Sequence, residues 1–67
     1  MIQIMWSETF YIILNDLRNE RYAIDDDLTE LRDLYIERAK NEINNELEQS
    51  YCIDSINMII GNFYSDM

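Results

Sequence analysis

Proline is absent from this chain, and Gly61 is its only glycine. Sheets joined by tight hairpins need residues that accept turn geometry, and these 67 residues offer almost none. Apolar side chains recur instead at three- and four-residue spacing, the period of a helix with one buried face. The fold class read from the sequence is therefore all-α. No internal repeat, low-complexity tract or linker interrupts the pattern.

Three helices are expected. The first spans about residues 8–22, with Ser7 as N-cap and Glu8 at the positive end of the dipole. Trp6, Phe10, Ile13, Leu14 and Leu17 share its apolar stripe. Ahead of it, Ile2, Ile4 and Trp6 alternate and would also suit a short strand. The second helix is expected over about residues 27–49. Asp27 followed by Glu30 has capping-box spacing, and Leu28, Leu31, Tyr35, Ala39, Ile43 and Leu47 form a stripe. Four-residue steps advance about 40° each, so this stripe winds around the axis and suits partners that cross at an angle. The third helix is expected over about residues 54–65, with Asp54 as N-cap. Cys52, Ile56, Ile59, Ile60 and Phe63 lie on one side.

The simplest architecture is a small three-helix bundle, residues 1–67 forming one domain. A second helix of that length would be about 33 Å long and would overhang neighbours of roughly 22 and 18 Å. A break near Asn44-Asn45 would remove the overhang, and so would a dimer. Ile13, Leu17, Leu31, Tyr35, Ile56, Ile59 and Phe63 are the predicted core.

A domain this small buries only about 60% of its unfolded surface, and small scaffolds commonly add a disulfide, a metal or a second copy. Cys52 is the only cysteine and histidine is absent, so an internal disulfide is impossible and a structural zinc site is not expected. Oligomerisation or a larger partner is the expected supplement. The apolar run at residues 10–14 is too short for a membrane span or a signal core, and the chain is read as cytoplasmic.

Fourteen acids face five bases, a formal charge of −9. That balance repels nucleic acid and anionic membrane and favours a basic partner surface. Catalysis is not expected: there is no histidine for acid–base work, and Tyr51-Cys52-Ile53-Asp54 supplies neither base nor cation to a thiolate. Cys52 reads as a buried thiol. The run Asp25-Asp26-Asp27 does not open an EF-hand loop, because the sixth and twelfth places hold Glu30 and Ile36 instead of glycine and glutamate. Catalytic, metal and cofactor residues are predicted to be none.

Two surfaces are candidates for binding. Asp26, Glu30, Asp33 and Glu37 are spaced 4, 3 and 4, which places four carboxylates within about 60° of arc. Glu48 would continue the line. Such a row can imitate a strand of phosphates, although acids that merely point at solvent are the simpler explanation. After Lys40 no basic residue remains, so the last 27 residues carry only negative charge. Tyr11, Arg18 and Tyr22 share the far side of the first helix, and tyrosine and arginine are common in binding hot spots. Tyr51 and Met58 fall off the core face of the third helix and Tyr64 flanks it. These three are the predicted oligomerisation surface, for a homodimer.

The expected function is a non-enzymatic inhibitor or modulator that binds a larger basic protein, such as a nuclease or another nucleic-acid-handling enzyme. Small acidic proteins of phages and mobile elements work this way, anti-CRISPR proteins and DNA mimics among them. The analogy rests on size, charge and a composition typical of AT-rich coding DNA: eleven isoleucines and seven asparagines against two alanines. The alternatives are a structural or regulatory helical oligomer, such as an adaptor or antitoxin, and a bacteriocin immunity protein.

Overall fold

A computed structural model describes residues 5–20 and 28–65. They form three helices: α1, Glu8–Asn19; α2, Leu28–Glu42; and α3, Glu46–Ser65. Each helix packs against the other two, which makes a small all-α three-helix bundle.

Ser7 caps α1. Its hydroxyl and its carbonyl both accept from the Phe10 N–H, at 3.4 and 3.1 Å. Glu20 closes the helix as C-cap, with its N–H donating to the Leu17 carbonyl. The expected continuation to residue 22 runs outside the described residues. So do the strand considered at residues 2–4 and the Asp27 cap.

The expected helix over residues 27–49 is instead two elements. The chain leaves helix after Glu42 and re-enters at Glu46. Asparagine side chains compete with helical backbone bonding and favour caps, and Asn45 does so here. Its Oδ1 accepts from the Glu48 N–H at 3.0 Å, three residues on. Gln49 then satisfies the other side of the reversal. Its side-chain amide donates to the carbonyls of Lys40, at 3.2 Å, and Ile43, at 3.1 Å. Orphan groups from both helix ends are thereby paired.

This reversal corrects three expectations. The third helix does not start at Asp54, which lies exposed inside α3, two turns past the true cap. Leu47 is not core: the break interrupts the four-residue rhythm and leaves it 58% exposed. Glu48 does not continue an outward acidic line, because the new phase turns it inward to 8% exposure.

The core joins all three helices: Phe10, Ile13, Leu14 and Leu17 from α1, Leu28, Tyr35 and Ala39 from α2, Ile43 from the break, and Cys52, Ile56, Ile59, Ile60 and Phe63 from α3. Leu31, expected inside, is half-buried and packs at its edge with Trp6, Ile36 and Ile53. Leu17→Ala or Ile56→Ala should cost about 2–5 kcal/mol, since each empties a fully buried site. Leu47→Ala should change stability by no more than about 0.5 kcal/mol. Urea denaturation of the three variants checks this phasing.

Candidate functional site

α2 carries one face inward and one outward. Leu28, Tyr35 and Ala39 face the core, while Glu30, Asp33 and Glu37 are exposed on the opposite side. Leu34 sits among these three carboxylates, four residues after Glu30 and three before Glu37, and is 64% exposed. The structure thus adds an apolar centre to the acidic row. Asp26, the first member of the row, lies outside the described residues.

The cations of α2 are unequally placed. Arg38 turns away from the ridge toward α1. It donates to Asp16 at 2.9 Å and to Glu42 at 2.8 Å, and its guanidinium lies 5.8 Å from the Tyr35 ring centroid. The Asp16 hydrogen bond, with help from Glu42, raises the Arg38 pKa further. Burial, followed by Glu20 and Asp16, raises that of Tyr35. Arg32 meets Asp33 at 3.5 Å in an exposed pair, an arrangement that typically contributes under about 1 kcal/mol. Beside the ridge, Leu34, Tyr35, Glu37, Arg38, Asn41 and Glu42 line an open depression of about 370 Å³.

The second surface crosses from α1 to α3. Four aromatic rings touch in sequence. Tyr51 meets Trp6 with centroids 5.2 Å apart, Trp6 stacks on Phe10 at 5.3 Å, and Phe10 meets Tyr11 edge-on at 5.4 Å. Phe10 is buried and Trp6 half-buried, while the outer rings, Tyr11 and Tyr51, are 55% and 48% exposed. Tyr11 and Tyr51 were assigned from sequence to separate surfaces, and the fold joins them through Trp6 and Phe10. Leu47 and Met58, four residues before Tyr51 and seven after it, are exposed on the same side of α3. Arg18 is exposed two turns along α1 from Tyr11. Tyr64 is exposed as well, but helical phase sets it more than about 100° of arc from Met58 and Tyr51. It does not join them. Tyr22 lies outside the described residues.

Glu48, expected on the outward acidic line, reaches the N-terminus of α1 instead. One of its oxygens accepts from the Ser7 N–H at 3.0 Å and the other from the Ser7 hydroxyl at 2.5 Å. An anion at the first turn of α1 complements the helix dipole, so α3 supplies both a hydrogen-bond acceptor and a charge to the α1 N-terminus. This contact also brings Trp6 beside Tyr51. The available signal was Asn45 followed three residues later by Glu48, the spacing of a capping box.

Cys52 is a free, buried thiol one turn after Glu48. Burial, with the Glu48 charge adding to it, pushes its pKa up to about 11. The thiol stays protonated at neutral pH, the opposite of what a nucleophile needs. Among the described residues, no three His, Cys, Asp or Glu side chains gather as a metal-ligand set, and no helix is long and apolar enough to cross a membrane.

No protein-family model, curated protein or solved structure matches this chain. The functional reading therefore rests on the two surfaces themselves.

The Cys52 shift fixes a sign for alkaline stability. An unfolded thiol titrates near about 8.5, and the folded one at about 11. The folded chain holds this proton more tightly, so the contribution is complete below the lower value and disappears as pH rises through the upper one. Tyr35, also raised, titrates in the alkaline range. Urea midpoints followed from neutral to strongly alkaline pH should fall more steeply for wild type than for Cys52→Ala, which keeps the Tyr35 contribution.

Proposed function

We propose that this chain is a non-catalytic protein-binding module that docks on a larger, positively charged protein. The observation carrying this reading is the outward ridge of α2, where Glu30, Asp33 and Glu37 surround the exposed Leu34 while Arg38 of the same helix is turned to α1. Charge on a chain of −9 steers a cationic partner, and a desolvated leucine at the centre supplies the short-range energy. Like charges at helical spacing each cost a few tenths of a kcal/mol. A row held against that repulsion is the kind of feature that binding would explain.

In its finer form the proposal is an inhibitor or modulator of a nucleic-acid-handling enzyme. The carboxylate row would occupy a cationic groove in place of phosphates, in the manner of the acidic proteins of phages and mobile elements. The partner would be captured from a host lysate at low salt and released at high salt.

Asp33→Lys with Glu37→Lys should change stability by no more than about 0.5 kcal/mol, because relief of the Glu30–Asp33 repulsion is offset by like charges kept at 33 and 37 and by loss of the exposed Arg32–Asp33 pair. Affinity for the captured partner should fall, mainly through slower association, and wild-type affinity should weaken as salt rises. Surface plasmon resonance at two ionic strengths checks both. Salt-independent binding that survives the double substitution would remove the acidic ridge from consideration.

A helical oligomer is the second reading, favoured by the exposed line of Leu47, Tyr51 and Met58 on α3. It requires a species larger than the 8.1 kDa monomer in sedimentation at high micromolar concentration. A monomer throughout that range would dispose of it.

A further inference from the structure

The aromatic surface has its own chemistry, distinct from that of the α2 ridge. It presents two exposed tyrosine rings at the ends of a contiguous chain, Tyr51–Trp6–Phe10–Tyr11, floored by a buried phenylalanine. Carboxylates stand within a turn of each outer ring. Asp54 is exposed three residues after Tyr51, and Glu8 is exposed three residues before Tyr11. α3 contains no basic residue at all, and Arg18 stands two turns away on α1. Flat π faces beside carboxylates, in the field of a strongly acidic chain, fit one side-chain group better than any other. A guanidinium is planar and weakly hydrated, stacks on aromatic rings, and pairs with carboxylates through two parallel N–H bonds. An ammonium is compact and strongly hydrated, and gains less from the rings.

We propose that the Tyr51–Trp6–Tyr11 surface is an arginine-reading site, which docks an arginine-presenting segment of the partner protein against its exposed tyrosine rings and the carboxylates of Asp54 and Glu8. Charge decides between this occupant and a second copy of the chain. Pairing two copies here would bring Asp54 and Glu8 of both together on chains of −9 each, whereas arginine neutralises them. The proposal takes the cationic sign of the partner from the reading above. It adds which basic residue is read and on which face.

Trp6 is the only tryptophan and lies in the middle of the surface, so its emission reports occupancy directly. The probes are a hexa-arginine and a hexa-lysine peptide, titrated at equal ionic strength by calorimetry with Trp6 emission followed in parallel. The arginine peptide should bind about three- to fivefold more tightly and perturb Trp6, the advantage expected of exposed cation–π contact. Tyr51→Ala, checked by circular dichroism to keep the wild-type helical content, should erase that preference while leaving lysine-peptide binding unchanged, and Tyr51→Phe should keep it. Equal affinity for the two peptides, indifferent to Tyr51→Ala, would overturn the proposal. So would a dimer that Tyr51→Ala dissociates and that shows no arginine preference, since the occupant would then be a second copy. The Asp33→Lys, Glu37→Lys protein separates the two readings. If it loses all peptide binding while Tyr51→Ala loses none, the α2 ridge stands and the arginine site falls. If it keeps the Tyr51-dependent arginine preference and still binds the captured partner at any salt, the ridge falls and the arginine site stands.

Discussion

The side chains of Asn45 and Gln49 hold the reversal on which the rest of the molecule depends. They pair the backbone groups left open where the helical bonding of residues 28–65 is interrupted. Asn45 caps the new helix through the Glu48 N–H, and Gln49 collects the carbonyls left at the end of the old one. Once the chain turns there, the phase of α3 is set. Cys52, Ile56, Ile59, Ile60 and Phe63 face inward, Leu47, Tyr51 and Met58 face outward, and Glu48 is brought against Ser7. A single polar junction thereby decides the far edge of the core, the cap of α1 and the composition of the exposed aromatic surface.

The acids divide into two populations by what they touch. Asp16 and Glu42 hold Arg38, and Glu48 holds Ser7, so these carboxylates tie helix to helix or one turn to the next. Glu30, Asp33 and Glu37 stay exposed around Leu34, and of these Asp33 makes only an exposed pair with its neighbour Arg32. The formal charge of −9 is therefore not spread evenly over the surface's tasks. Part of it is structural, and the remainder is presented outward. The inward contacts also spend Arg38, which increases the acidity of the outward face of α2.

Two surfaces with different chemistry follow from one small core. The α2 ridge offers charge with a little apolar area, which favours steering and on-rate. The α1–α3 surface offers aromatic area with a little charge, which favours stacking and short-range affinity. They are complementary ways of meeting one cationic partner, because long-range attraction and close contact are governed by different groups.

The helical class, the inward stripe of α1, the apolar face of α3 and the exposure of Glu30, Asp33, Glu37, Tyr11, Tyr51 and Met58 were all legible in the sequence. Each depends on local periodicity, which the 3.6-residue repeat imposes whatever the neighbours are. The division of residues 27–49 was less so. Leu47 follows Ile43 at the same spacing as Ile43 follows Ala39, and only the polar pairing of Asn45 and Gln49 breaks that rhythm. The Ser7–Glu48 contact and the union of Tyr11 with Tyr51 were decided by tertiary structure alone. A carboxylate's partner 41 residues away and the contact of rings on two helices depend on how helices pack, and no pattern along the chain encodes that distance.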